Sequence, residues 1–180
     1  MAKKIIIKLA DIQVYADVSD NKDADRVARF ATRVQETQLR ELLNDALYTA
    51  LIADLDASGV PQTQKYIDLV SGKTYTYSGE TVTYYGLKPF LVFHWLAINI
   101  KEGDVFNADY GNINFDNNPQ DNMTKVTQGT IDRLSAEYMK NTISYSNNIS
   151  RFLNENSTTY TEWISKSDNK DKSTFNIFTV

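Results

Sequence analysis

The sequence predicts a mainly α fold, a helical bundle of about four to five helices with a β-hairpin, an extended N-terminal arm and a C-terminal tail. Three observations predict it. Apolar residues recur every three or four positions between about residues 23 and 71. Two short alternating runs then flank Ser78-Gly79, which is typical of a hairpin. A strongly apolar helical stretch follows, from Leu87 to Ile100.

A chain of 180 residues is long enough for one domain with a proper core, and we expect a single domain over residues 1–180. Its expected parts are an N-terminal strand or arm (1–18), a helical core (19–163) with a hairpin (73–85) and a loop (104–122), and a C-terminal tail (164–180).

The N-terminal segment "KKIIIKLADIQVYADVS" has the alternation of an extended chain. It also fits an arm that becomes ordered only on a partner, and the sequence leaves both open. As a strand, it would place Ile5, Ile7 and Leu9 on one face and Ile6, Lys8 and Ala10 on the other.

Amphipathic helices are predicted next. Ser19 and Asp20 offer N-caps for a helix that starts near Asp23. A second apolar stripe ends at "DASGVP", and "PQTQKYIDLVSG" then gives a short helix closed by Gly72. The two stripes consist of Val27, Phe30, Ala31 and Val34, and of Leu39, Leu42, Leu43, Ala46, Leu47, Ala50 and Leu51.

The helix after the hairpin is apolar around its whole circumference, which indicates a helix surrounded by protein. Pro89 fits its first turn. The stretch from Leu87 to Ile100 has about 14 residues, whereas a membrane span needs roughly 20. We therefore expect a core helix and no membrane association.

The second half begins with an Asn- and Asp-rich segment over 104–122, which predicts a long exposed loop with a small strand pair. A long helix is predicted from about Met123 to Phe152, with Ile143 out of phase with its apolar stripe. The chain closes with a charged segment and the β-prone run "TFNIFTV", which could add to a sheet edge on a neighbour.

Composition excludes several function classes. A net charge of −4 argues against a protein that coats nucleic acid, because neutralising phosphates needs a basic surface. Without cysteines there is no disulfide, thiolate or cysteine–metal chemistry, and one histidine excludes zinc sites built on several imidazoles. The apolar run Ile5 to Ile7 is too short for the core of a signal peptide, so we expect the protein to be cytosolic where it is made.

Candidate catalytic chemistry is sparse. His94 could act as a general base, but no nucleophile or orienting carboxylate lies nearby in the sequence, so a core or interface histidine with a hydrogen-bond partner is favoured. A calcium loop counted from Asn107 fails, because position 6 is Asn112 and position 12 is Asn118. We expect no catalytic residue, cofactor or metal.

Tyrosines are frequent, 11 in the chain, and tyrosine is enriched where protein surfaces meet. The predicted contact residues fall in the hairpin, the Asn-rich loop and the tail. They are Tyr75, Tyr77, Tyr84 and Tyr85; Asp109, Tyr110 and Phe115; and Phe175, Ile177 and Phe178.

The arrangement of "ELLNDALYTALIADL", "KYIDLVSG", "KTYTYSGETVTYYGLKPFLVFHWLAINI" and "RFLNENSTTYTEW" resembles the head-to-tail connector proteins of tailed bacteriophages. It is most similar to those of phages that infect Bacteroides-type gut bacteria, including crAss-like phages. The resemblance covers about Asp23 to Trp163, and its most specific part is "YSGETVTYYGLKPFLVFHWLA". The Asn-rich loop and the tail depart from it.

The resemblance implies a mainly helical structural virion protein without enzymatic activity. Such proteins assemble in the host cytoplasm into rings, commonly of twelve copies, in the neck between capsid and tail. They contact the portal and downstream neck or tail proteins, and genomic DNA passes through their channel without sequence-specific binding. The alternatives are a neck or tail-completion ring that does not touch the portal, a small metal-dependent hydrolase using Asp109 and Asp116, and a host-directed regulatory binder.

Overall fold

A computed structural model describes residues 3–18, 23–102, 105–108, 111–114 and 127–165. The mainly helical fold with an antiparallel hairpin is confirmed. The helices are α1 (Leu9–Gln13), α2 (Ala24–Val34), α3 (Arg40–Asp54), α4 (Gln64–Ser71), α5 (Lys88–Glu102) and α6 (Gln128–Glu155), with a π-helical turn (Gln35–Leu39) joining α2 to α3. The strands are β1 (Lys73–Tyr77) and β2 (Glu80–Tyr84), then β3 (Val105–Ala108) and β4 (Gly111–Asn114), two antiparallel pairs.

Helices α5 and α6 form the centre of the core as an antiparallel pair. At one end the Ser135 hydroxyl donates to the carbonyl of Ala97 (3.2 Å), and at the other Asn148 bonds the chain at Tyr85. Trp95 is fully buried in α5. Most of α5 is buried on all sides, as the sequence predicts, because α1, α2 and α6 pack around it.

The run from α2 to α3 is interrupted at Asn44, whose backbone has φ 62° and ψ 165°. That region of conformational space favours glycine, so the break carries strain of about 1–3 kcal/mol. The Asn44 side chain offsets part of it, because its Oδ1 accepts the N–H groups of Ala46 and Leu47, both at 3.1 Å. Asn44 therefore acts as the N-cap of the second half of α3.

The N-terminal segment packs into the core, and the predicted strand is wrong. Residues 3–8 form no strand, Ile6 and Ile7 are both buried, and the chain turns into α1 at Leu9. The Ile6 N–H donates to Gln35 Oε1 (3.0 Å), while Gln35 Nε2 donates to the carbonyl of Lys4 (2.9 Å). No described strand lies beside residues 3–8, so one side chain supplies the hydrogen bonds that a strand would give. The partner-ordered arm is also wrong for residues 3–18, since they pack on their own chain.

Helix α6 starts later than predicted, at Gln128, because Thr127 caps it by accepting the N–H of Thr130 (3.3 Å). Past Glu155 the chain turns back onto α4, where the Tyr160 hydroxyl donates to the carbonyl of Lys65 (2.7 Å). Lys65 also pairs with Glu162 at 2.8 Å. Across the described residues, no helix is long and apolar enough to cross a membrane.

Candidate interaction surface

The hairpin turns through Ser78 and Gly79, which both have positive φ (51° and 84°). This is a two-residue type I′ turn, whose twist matches that of the strands. The register pairs Tyr77 with Glu80, Tyr75 with Val82 and Lys73 with Tyr84. The sequence predicts this hairpin and its turn correctly.

Tyr84 is not a surface residue, and its assignment as a contact residue is wrong. Only 2% of it is exposed, its ring stacks on Phe152 with centroids 3.9 Å apart, and its hydroxyl donates to the carbonyl of Leu69 (2.8 Å). Burial raises the pKa of Tyr84 well above its usual value. Tyr84 therefore anchors the hairpin to the core.

Tyr75 is half-buried and also faces inward. Its ring contacts Phe152 edge-on at 5.3 Å, and its hydroxyl donates to the carboxylate of Glu155. Burial raises the pKa of Tyr75 to about 12, and the hydrogen bond to Glu155 adds to the shift. The sequence offers no signal for Glu155, because it is a polar residue at the end of a polar-rich helix.

Tyr77 and Tyr85 are the exposed tyrosines of the hairpin, with 45% and 56% of their surface accessible. Tyr77 lies beside the turn, and Tyr85 follows β2 with its ring edge against Tyr145 (5.9 Å). The structure thus separates the four predicted tyrosines into two that fix the hairpin and two that present aromatic surface to solvent.

The two outer edges of the hairpin differ. Asn148 of α6 covers the end of the β2 edge by donating to the carbonyl of Thr83 and accepting the N–H of Tyr85, both at 3.1 Å. In this register the backbone groups of Thr74 and Thr76 point away from β2. No hydrogen bond from any residue that the structure describes reaches them, so the β1 edge is open to another strand.

The other predicted contact residues lie outside the described residues. These are Asp109, Tyr110 and Phe115 of the loop, and Phe175, Ile177 and Phe178 of the tail. Asp116 of the hydrolase alternative lies outside them as well.

His94 is buried, with 8% of it exposed, as the sequence analysis favours. The expected hydrogen-bond partner is not found for Nδ1, which is buried without a partner among the described residues. Burial, and secondly the charge of Arg33, lower the pKa of His94 to about 4, so the imidazole is neutral at physiological pH. In the described part of the chain, no group of three His, Asp or Glu side chains could hold a metal ion.

A groove beside His94 was not predicted from the sequence. It lies between α6 and the chain just before Asn44, and Ile143 at its rim is 56% exposed. The signal that pointed to it was the apolar Ile143 standing outside the stripe of α6. Such a residue faces away from the helix's own core contacts.

Comparison with known proteins gives one family. No curated protein and no solved structure matches the chain. The model of a family described as a family of unknown function (DUF6712) matches residues 39–173, from the end of the π-helical turn into the tail. The match spans three quarters of the sequence and includes the hairpin, α5 and α6, and the chain therefore belongs to the DUF6712 family.

Proposed function

We propose that this protein is a structural virion protein that forms a ring in the neck of a tailed bacteriophage, joins the portal to the tail and continues the DNA channel. The proposal starts from the resemblance described above. One structural observation carries it further, the hairpin with an open β1 edge and two exposed tyrosines. Such a surface suits a protein that works by contacting other chains.

The hairpin is held firmly enough to act as a docking element. Tyr84 stacks on Phe152, Tyr75 donates to Glu155, and Asn148 bonds the end of β2 at Thr83. A two-stranded hairpin on its own is marginally stable in water, so these contacts to α6 fix its position. A pre-positioned edge loses little conformational freedom on binding, which favours association.

A closed ring needs one surface to meet a different surface on the next copy. The β1 edge provides main-chain donors and acceptors for an added strand. Tyr77 and Tyr85 provide aromatic area of the kind that dominates interface energies. The net charge of −4 suits a channel through which DNA passes without strong binding.

The test is the molar mass of the purified protein, measured by light scattering alone and mixed with the cognate portal protein. We expect either a large ring, or a monomer that joins the portal. The double variant Tyr77→Ala/Tyr85→Ala should lose this assembly while keeping the helical circular dichroism spectrum. Tyr15→Ala is the matched control, because Tyr15 is an exposed tyrosine (39%) outside the hairpin.

Two outcomes would contradict the proposal. A monomer that ignores portal and tail proteins would remove the assembly role altogether. Assembly that survives in the double variant would remove the hairpin from it. A ring that binds tail proteins and not the portal would support the neck-completion alternative instead.

A further inference from the structure

The break at Asn44 in α3 is a place where the local sequence and the fold disagree. The apolar stripe continues across Asn44 at spacings of three and four residues, through Leu43 and Leu47, which is the pattern of one straight helix. The structure bends the chain at this single residue, with a φ of 62° and a ψ of 165°. That combination belongs almost entirely to glycine, so Asn44 carries backbone strain. The sequence therefore favours a straight helix that the bent fold does not allow.

The side chain of Asn44 is not fully paired in the bent form. Its Oδ1 accepts the N–H groups of Ala46 and Leu47, but its Nδ2 is buried without a hydrogen-bond partner among the described residues. A buried donor left unpaired destabilises the conformation that contains it. In a straight α3, the N–H groups of Ala46 and Leu47 would bond the carbonyls four residues earlier. Straightening would therefore relieve the backbone strain and release Asn44 from its role as a cap.

The core prevents this straightening within one chain. Leu43 before the break and Leu47 after it are both fully buried. A straight α3 would pull one side of the break out of the core, because the two sides are now held at an angle. Both leucines can stay buried in a straight helix only if the two sides of the break pack in the cores of different copies.

The segment before the break, residues 3–43, packs on the rest of the chain chiefly through α1 and α2 on α5. Lys88 of α5 pairs with Asp11 of α1 at 2.7 Å, and the Trp95 indole N–H donates to the carbonyl of Val27 in α2 (3.3 Å). Every copy of the protein carries the same α5 surface. A second copy can therefore supply these contacts unchanged, which makes it the partner that the segment already fits.

We propose that copies of this protein exchange residues 3–43. In the exchanged form α3 is straight at Asn44, and the segment packs on α5 of a second copy in place of that copy's own segment. Residues 24–54 then form one helix about 46 Å long. The bend is lost and the contacts on α5 are kept, so the freedom lost on association opposes the exchange and makes it depend on concentration. The inference goes beyond the proposed function and does not rest on it, because the hairpin takes no part in the exchange.

Two substitutions at Asn44 move the equilibrium in opposite directions. Asn44→Gly should favour the closed form, because glycine adopts this φ without strain. Asn44→Ala should favour the exchanged form, because alanine is strained at this φ, cannot cap, and is the best helix former. Asn147→Ala is the matched control, since it makes the same change at an exposed position of α6.

Zero-length crosslinking shows which chains the segment joins. Unlabelled and isotopically labelled chains are unfolded together in urea, refolded at high concentration and treated with a carbodiimide, which couples paired lysine and carboxylate side chains. The Asp11–Lys88 pair links the segment to α5. The Lys65–Glu162 pair, at 2.8 Å, lies wholly outside the segment and is the internal control. Mass spectrometry then shows whether each crosslinked peptide carries one label or two.

We expect two-label Asp11–Lys88 peptides in the wild type, and single-label Lys65–Glu162 peptides throughout. The strain of one residue predicts roughly tenfold fewer two-label peptides in Asn44→Gly than in the wild type. Asn44→Ala should give more of them, with a larger mass by light scattering, and Asn147→Ala should match the wild type. If Asn44→Ala fails to fold, the comparison of the wild type with Asn44→Gly still decides.

Three outcomes would overturn the proposal. The first is single-label Asp11–Lys88 peptides in the wild type at every concentration. The second is an equal yield of two-label peptides in the wild type and Asn44→Gly, which would separate the exchange from the bend. The third is equal label mixing in the Lys65–Glu162 peptide, which would indicate contact between copies without exchange.

Failure of this proposal and failure of the proposed function are distinguishable. Tyr77→Ala/Tyr85→Ala alters the hairpin alone, so it should leave the yield of two-label Asp11–Lys88 peptides unchanged. A yield that fell with this double variant would contradict an exchange in which the hairpin takes no part.

Discussion

The hairpin and the N-terminal segment are both short, β-prone runs, yet their structures differ. Tyrosine or valine alternates with threonine in the strands of the hairpin, whereas residues 5–7 are three successive isoleucines. Residues 73–84 form a regular antiparallel ladder, whereas residues 3–8 form no strand and bury two successive isoleucines. The difference lies in the partner, because β1 has β2 two residues away along the chain. In the N-terminal segment, the side chain of Gln35 bonds the backbone of Lys4 and Ile6 instead.

This contrast shows what alternation predicts and what it does not. Alternation states which residues would share a face if the chain were extended. A strand also needs its backbone donors and acceptors paired. Where a side chain does the pairing, the backbone is free to leave the extended form, and Ile6 and Ile7 can both enter the core.

The largest expected effect concerns the anchor of the hairpin. Tyr84→Ala should lower the free energy of unfolding by about 3–5 kcal/mol, because it removes a buried ring stacked on Phe152. Tyr85→Ala, at the next position, should change it by less than about 0.5 kcal/mol, because Tyr85 is exposed. Urea denaturation measures the free energy of unfolding of both variants. Equal losses would mean that the two tyrosines are not divided between core and surface.

The same substitution, glycine to alanine, can be made at Gly59, which lies against the N-terminal segment, and at Gly79 in the turn of the hairpin. Gly59 and Gly79 have nearly the same φ (81° and 84°). A Cβ at Gly59 would overlap the carbonyl of Ile5, and a Cβ at Gly79 would meet open space. We expect Gly79→Ala to cost about 1–2 kcal/mol from backbone strain alone, and Gly59→Ala to cost about 1–3 kcal/mol more from the clash. Equal losses in thermal or urea unfolding would show that residues 3–8 do not pack against Gly59.

The pH dependence of the free energy of unfolding tests whether His94 is buried as a neutral imidazole. The pKa of His94 falls from 6.5 in the unfolded chain to about 4 in the fold, so the unfolded chain binds the extra proton between these values. The free energy of unfolding should therefore fall as the pH drops from 6.5 to 4, by at most about 3 kcal/mol. The positive charge of Arg33 in α2 lowers the pKa of His94 further. Glu41 lines the groove beside His94.

His94→Gln is the control for this pH dependence, because it removes the titrating group. The lowered pKa values of Glu155 and Glu162 act in the same direction but at lower pH, as these carboxylates protonate. The difference between wild type and variant, measured by urea denaturation across the range, isolates His94. If the free energies of unfolding of wild type and variant changed with pH in parallel, His94 would not be buried as a neutral imidazole.

The last prediction concerns Gln35, whose side chain bonds the backbone of the N-terminal segment. Gln35→Ala leaves the N–H of Ile6 and the carbonyl of Lys4 without their partner, and should cost about 1–3 kcal/mol. Gln128→Ala is the control, since it removes an exposed amide that bonds Asp132. Hydrogen exchange at Ile6 should accelerate in the first variant alone. Unchanged exchange there would mean that Gln35 does not hold the segment.

The sequence predicts the longer helices from α2 onward and the hairpin, because periodicity encodes the helices locally and Ser78-Gly79 encodes the turn. It does not predict whether Tyr84, the last residue of β2, or Tyr85, the next residue, is buried, because the position of Phe152 on α6 decides this. It misses the break at Asn44, because the apolar stripe continues across it. The groove beside His94 is not predicted either, because segments distant in the sequence create it and the out-of-phase Ile143 is its one local signal.

The two hydrogen bonds of Asn148 have a mechanical consequence. They connect one side chain of α6 to the backbone on both sides of Tyr84, at Thr83 and at Tyr85. A pull on the hairpin along its strands would load both bonds together instead of opening them one after the other. Tension would thus pass into the 28-residue length of α6 and not into the turn at Ser78 and Gly79. A hairpin mounted in this way can carry load without unzipping.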